Sequence, residues 1–286
     1  MLKWIIVILI GIAVFLFLVL IASIIAKAIF IQNARKEVAS LFKDTHEKKK
    51  EKLIDKKDLM NLPYPVKNWL INSNIIGKKK IATVRLKQQG QMRTNKNGPW
   101  MWSTAEQYFK VEEPGFVWKA NVKMTPFIHL AGIDTFNGRE GKMWIKLLSL
   151  FPIVNAKGPE IDLSTMMRYL AEMPWFPTAA LNPYIIWEEI DEKKARATFN
   201  HNGLSVSGVF YFNQHGDISR FMGKRYREVK GNFILSDWGG IYKEFKEFEG
   251  IRIPSKSDII WVKEDEVFKW FECEITDVNY NIPLHY

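Results

Sequence analysis

Five histidines, one cysteine and scattered carboxylates are the groups that could do chemistry in this chain. His46, His129, His201, His215 and His285 stand nowhere at metal-ligand spacing, and no HExxH run occurs. A phosphate-cradling loop needs two spaced glycines followed by Lys and Ser or Thr. Trp238-Gly239-Gly240-Ile241 has neither feature. No GxSxG elbow is present for a hydrolase nucleophile. Cys273 alternates in phase with Phe271 and Ile275, and apolar company keeps a thiol protonated and inert. A single cysteine also excludes an intramolecular disulfide, a four-cysteine zinc site and a CxxC redox pair. Glu188 and Glu189 are adjacent in a strand-like run, so they point to opposite faces and cannot act as an acid–base pair. No catalytic residue, metal or cofactor is expected, and the balance leans away from an enzyme.

The candidates that remain are charges in apolar company. Arg168 and Glu172 stand four apart in a helical stretch and can pair on one face. Glu106, Asp134 and Arg196 sit in strand-like runs with apolar neighbours. A buried arginine needs either a carboxylate or the head group of an anionic ligand, and both readings stay open here. Around them lie Met166, Met167, Met173, Trp175 and Trp118. The chain has eleven tryptophans and ten methionines, which can fill a core or line an adaptable apolar pocket.

These residues need elements to position them. Trp4 to Ala26 is a run of 23 residues without a charge. At about 1.5 Å per residue it reaches roughly 35 Å, enough for a hydrocarbon core of about 30 Å. Ala26-Lys27-Ala28 has the form of a signal-peptidase site, but the apolar run exceeds the roughly 7–15 residues of a signal peptide, so an uncleaved single-pass anchor is expected. Lys27, Arg35, Lys36 and Lys43 on the C-terminal flank lean towards a cytoplasmic body by the positive-inside rule. Residues 1–59 hold eleven Lys and Arg against six Asp and Glu, an excess of five and so half of the chain's net charge of +10. Its dense part is Lys48, Lys49, Lys50, Lys52, Lys56 and Lys57, with Glu47, Glu51, Asp55 and Asp58 interleaved. This fits a solvated charged helix or attraction to anionic lipid. No DNA- or RNA-binding motif accompanies it, so nucleic acid is not an expected partner.

The body reads as mainly β. Phe116, Trp118, Ala120, Val122 and Met124 alternate with Lys119, Asn121 and Lys123, as in a half-buried strand, and Leu204–Phe212 does the same. Turn signals such as Pro114-Gly115, Asn137-Gly138, Asn202-Gly203 and Glu249-Gly250 come at short intervals, which demands antiparallel neighbours. About twelve strands are expected, interrupted by one helical insert at about 162–182, capped by Asp162 or Ser164 and carrying Leu163, Met166, Met167, Leu170 and Met173 on one stripe. The expected organisation is a transmembrane anchor over 1–31, a charged helical stalk over 32–59, and a single domain over 60–286. That domain is a strongly curved antiparallel half-barrel wrapped around the insert.

The run Arg168-Tyr-Leu-Ala-Glu-Met-Pro-Trp-Phe-Pro-Thr-Ala179 resembles the signature of an uncharacterised bacterial family of membrane-associated proteins. So do Ala105-Glu-Gln-Tyr-Phe109, Pro114-Gly-Phe-Val-Trp118, Trp187 to Asp191, Ala195-Arg-Ala-Thr198 and Arg225-Tyr226. The resemblance spans about residues 60–280 and implies no activity and no site residue. The architecture is similar to lipoprotein-carrier and lipocalin-like folds, an analogy that leans towards a body outside the cytoplasm, leaves the side of the membrane open, and supports no function by itself.

The expected function is a membrane-anchored binding protein with a concave apolar pocket for a lipid or other hydrophobic ligand. Its alternatives are a structural or protein-interaction module of the cell envelope with a filled core, and an unrecognised hydrolase or transferase. Membrane lipid is the expected partner, an apolar ligand is a further one, and protein partners and oligomeric state stay open.

Overall fold

The computed structural model describes residues 1–43, 45, 52–229, 231–263 and 266–286. Helix α1 (Leu2–Leu41) opens the chain. It is the one helix among the described residues long and apolar enough to cross a membrane, properties a signal sequence would share. Its first twenty or so residues touch nothing. From Ser23 onwards one side is covered: Phe30, Ala34, Val38 and Phe42 are all buried. Their spacing of four residues makes a stripe along the helix. That stripe packs on the convex face of the sheet, against Ala131, Ile133 and Trp144, and further along against Tyr108 and Val117. Over 32–41, the first part of the expected charged stalk, the helix lies docked on the body. The run Lys48, Lys49 and Lys50, with Glu47 and Glu51, lies outside the described residues, as does His46.

A short helix, α2 (Tyr64–Asn72), buries Val66, Trp69 and Leu70. The first arm of the sheet follows: β1 (Thr83–Met92), β2 (Met101–Lys110), β3 (Gly115–Lys123), β4 (His129–Phe136), β5 (Gly141–Leu147) and β6 (Phe151–Lys157). The second arm comprises β7 (Ile185–Asp191), β8 (Lys194–His201), β9 (Leu204–Phe212) and β10 (Ile218–Val229). It continues through β11 (Asn232–Phe248), β12 (Ile251–Lys263) and β13 (Glu266–Tyr280). All thirteen strands, one more than the sequence suggests, form one antiparallel sheet in the order β6-β5-β4-β3-β2-β1-β13-β12-β11-β10-β9-β8-β7. It is not closed. The exposed edges carry Pro152 on β6 and Glu188, Glu189 and Asp191 on β7, which discourage pairing with another chain.

Helix α3 (Pro159–Glu172) and two 3-10 turns, Met173–Trp175 and Pro177–Leu181, link the two edges. The link crosses the concave face and touches β4, β5 and β6 on one side and β9, β10 and β11 on the other. Two glycines allow this approach. A Cβ on Gly141 would meet Thr165 and the Ile161 carbonyl, and one on Gly223 would meet the Met167 sulfur. The insert starts at Pro159, and neither Asp162 nor Ser164 caps it. Its N-cap is Gly158 at φ +121°, with no side-chain cap. Asp162 instead accepts the Gly141 amide at 2.7 Å, tying the helix to the start of β5. The core lies between α3 and the sheet, where Tyr169, Phe176, Phe109, Phe116, Phe199 and Phe210 are fully buried.

Candidate functional site

Strands β2, β3 and β4 present Gln107, Trp118 and Asp134 side by side on the concave face, because each is the ladder partner of the next. Arg168 comes down on them from α3. Its Nη1 donates to Asp134 Oδ2 at 2.6 Å and its Nε to Glu172 Oε1 at 2.8 Å. The guanidinium lies 4.6 Å from the centre of the Trp118 ring and 5.1 Å from that of Phe116. Trp118 in turn donates its Nε1–H to Gln88 Oε1 at 2.9 Å. Gln88 donates to Gln107 Oε1 at 2.9 Å, and Gln107 donates to Glu172 Oε2 at 2.7 Å. The result is a closed ring of donors and acceptors that ends where it starts, on Arg168. Burial opposes the arginine charge, but Glu172 and Asp134 outweigh it and raise its pKa. Burial lifts the Glu172 carboxyl above its ordinary value even with Arg168 beside it.

Two more arginines continue this pattern along β10. Arg225 and Arg227 stand in phase with Gly223 on the concave side. Arg225 lies 4.8 Å from the Trp238 ring centre and Arg227 lies 5.8 Å from that of Trp261. Arg168 is neutralised by two carboxylates, whereas Arg225 and Arg227 form no ion pair among the described residues. Their Nε atoms are buried without a hydrogen-bond partner, as is Nε1 of Trp238. The facing oxygen Asp134 Oδ1 is also unpartnered. Desolvation pulls Arg225 down to about 10, partly offset by Asp134 and Glu172 at longer range, so it still carries a charge at neutral pH. Both arginines are half-buried rather than sealed.

The other expected site residues divide into two groups. Met166, Met167, Met173 and Trp175 are buried packing between α3 and the sheet. Glu106 and Arg196 face the other way. Glu106 binds Lys119 at 2.7 Å and accepts the Tyr108 hydroxyl at 2.8 Å on the convex side. Arg196 pairs with Glu188 at 3.2 Å on the exposed surface. Neither reaches Arg168. Gln88, Gln107, Arg225 and Arg227 complete the concave cluster. The inward phase set by Val84 and Leu86 for Gln88, and by Ala105 and Phe109 for Gln107, is the signal that could have found the two glutamines. A cavity of about 380 Å³ lies on the convex side, under α1, between Phe30, Ile31 and Lys27 above and Glu106, Lys119 and Asn121 below. Cys273 is buried, and desolvation pushes its thiol up, as an inert packing residue requires.

A family model described as a family of unknown function, DUF6544, matches residues 52–273. No curated protein matches the chain. Among solved structures, a DUF1329 family protein from Desulfovibrio piger ATCC 29098 is similar at 9% identity, covering 78% of this chain and 96% of that chain with a TM-score of 0.41. A porin-like protein from Bacteroides uniformis ATCC 8492 is similar at 6% identity, covering 68% and 96% with a TM-score of 0.26.

Proposed function

The chain belongs to the DUF6544 family, a family of unknown function, and we propose that it is a membrane-tethered protein that binds an anionic amphiphile on its concave face. The observation that carries this is the pair Arg225 and Arg227. Each lies on a tryptophan face, and neither meets a carboxylate among the described residues. A cation held in an aromatic wall with unpartnered donors is matched by a group rich in acceptors, such as a phosphate or carboxylate. Trp238, Trp261 and Trp118 offer apolar faces beside it for the attached chain. The α3 insert fills the other part of the concavity, so the ligand is held by a wall of the half-barrel rather than by a deep enclosed pocket.

The tether is α1. Its apolar part has bilayer length, and its second half is packed on the body, so cleavage after Ala26 or Ala28 would cut a continuous helix just before its docked stripe. The amphiphile is then drawn from the membrane that holds the protein. The proposed position of the body is outside the cytoplasm, and protease protection in intact and permeabilised cells decides the side.

The binding test uses the full chain in a mild detergent, dioleoyl phosphatidylglycerol as the anionic probe and phosphatidylcholine as the comparison. Native mass spectrometry should retain a phosphatidylglycerol adduct in preference to the zwitterionic lipid. Arg225→Met with Arg227→Met should weaken it about tenfold or more, the loss of one charge-assisted contact being worth about 1.5–3 kcal/mol. Equal retention of both lipids, or an unchanged adduct in the double variant, would refute the assignment.

A further inference from the structure

We infer that one rim of the half-barrel rests on the bilayer surface and dips its turn tips into the lipid head-group layer. This rests on α1 being the tether, and it adds how the body stands on the membrane.

The sheet register carries the geometry. Ladder partners form an unbroken row from His129 on β4, through β3, β2, β1, β13 and β12, to Ile241 on β11 and Arg220 on β10. The β3–β4 turn lies next to this row. The paired ends of β12 and β13, Lys263 and Glu266, lie five to six residues beyond it, and those of β10 and β11, Val229 and Asn232, lie nine beyond, or roughly 18 Å and 30 Å at about 3.3 Å per residue. The strand spacings crossed on the way, four and six at about 4.8 Å each, cover about 19 Å and 29 Å. Stagger and width match, which is a strand tilt of about 45°, the upper end of the range for barrels. The β3–β4 turn and the paired ends of β12 with β13 and of β10 with β11 are therefore level with one another along one rim.

Helix α1 stands upright on that rim. Its contact with Ala131, Ile133 and Trp144 and its later contact with Tyr108 and Val117 are offset by about two strands and about three residues, again equal distances. The sense of the offset is perpendicular to the rim, so the helix runs parallel to the barrel axis. The Ser23 hydroxyl donates to the Leu148 carbonyl, at the β5–β6 turn, at 2.9 Å. That bond marks where α1 passes the rim. The residues before it reach about 31 Å at about 1.5 Å each, one hydrocarbon thickness. A helix crossing the bilayer upright thus sets the rim parallel to the surface and at its level.

The rim's composition fits such a seat. Phe127 at the β3–β4 turn is 89% exposed, and Ile128, Phe151, Trp100, Phe233 and Ile234 are exposed beside the same or neighbouring turns. Lys123 stands in the row itself, Arg93 follows the end of β1, and Lys27 lies one helical turn after Ser23, cations suited to a head-group layer. The opposite rim ends in polar turns such as Asp191–Lys194 and Asn213–Asp217. A rim seated this way opens the Arg225 wall towards the lipid.

Site-directed spin labelling tests this on the full chain in vesicles of phosphatidylcholine with 30% phosphatidylglycerol. Labels are placed at Phe127→Cys and Ile234→Cys, at Glu192→Cys on the far rim, and at Leu9→Cys in the tether. The buried native thiol stays unlabelled. Labels at 127 and 234 should be reached by oxygen and shielded from a water-soluble nickel chelate about fivefold more than the label at 192. If the label at 9 is shielded while 127 and 234 match 192, the tether stands and the seated rim is refuted. If the label at 9 is also open to the chelate, the tether itself fails and the rim proposal falls with it.

Discussion

Arg168→Met is the sharpest perturbation of the concave cluster. The substitution keeps an unbranched chain of similar length and removes the charge that two carboxylates face. Those side chains are almost sealed, at 6% exposure for Asp134 and 12% for Glu172. Removing one partner of a buried ion group costs about 3–5 kcal/mol, because the remaining charges stay desolvated and unpaired. The loss of the guanidinium from the Trp118 face adds to this. With a urea slope of about 2–3 kcal/mol per molar, the unfolding midpoint of the detergent-solubilised protein should fall by about 1–2 M. The penalty should also depend on pH. Glu172 already has a folded pKa above its ordinary value, and deleting Arg168 removes the largest influence holding it down. A carboxyl raised by folding contributes stability below its unfolded pKa and loses it as pH rises through the folded value. The gap between variant and parent should therefore be smaller near pH 5 than near pH 8. Tryptophan fluorescence during urea titration reads both. A loss below about 1 kcal/mol, or a gap that widens on acidification, would refute the account of Arg168 as the hub of a desolvated ring.

Tyr242→Phe removes the hydroxyl that donates to the Ala171 carbonyl at 2.5 Å in the last turn of α3. It should cost about 1–3 kcal/mol of unfolding free energy, since a buried acceptor is left unmatched. Gly239→Ala would drive a Cβ into the Phe221 carbonyl on the neighbouring strand, and a loss of about 1–3 kcal/mol in thermal or urea unfolding is expected. Val38→Asp puts a charge into the seam between α1 and the sheet, where Val38 packs by Tyr108 and Val117. Hydrogen exchange should then speed up in the amides of the docked part of α1 while the sheet core stays protected. Unchanged exchange there would show that the seam does not hold the helix.

Much of this molecule was legible from periodicity. The alternation through Phe116, Trp118, Ala120 and Val122 places β3, and the stripe through Met166, Met167, Leu170 and Met173 places α3 on a large apolar surface. The pairing of Arg168 with Glu172 follows from their spacing of four. Asp134 as the second partner was visible only as a charge among apolar neighbours, because its approach depends on how far the sheet curls. Gln88 and Gln107 were missed because polar residues in an alternating strand read as the solvent side. Here they occupy the inward phase, beside a register shift between Lys87 and Gln88. Arg225 and Arg227 lie on a strand with polar residues on both faces, which hides their direction. The docking of α1 was half visible. Val38 and Phe42 stand four apart in a helical stretch, but the partner surface on β2 and β3 comes from segments that only the folded sheet brings together.

The strand order also bears on how the chain is made. The two middle strands of the sheet, β1 and β13, come from opposite ends of the sequence, and a contact such as Arg85 with Asn279 spans 194 residues. The sheet's outer edges are made in mid-synthesis and its centre last. While a ribosome is still adding the second arm, β1 waits with one side of its backbone unpaired, after the apolar helix α1 has already been made. Such a bare strand edge invites pairing with another chain until the final fifteen-residue strand, Glu266–Tyr280, is released to cover it. A premature stop just before β13 should thus be far more harmful than the loss of an edge strand of similar length, leaving two half-sheets and an adhesive seam where the middle of the molecule should be.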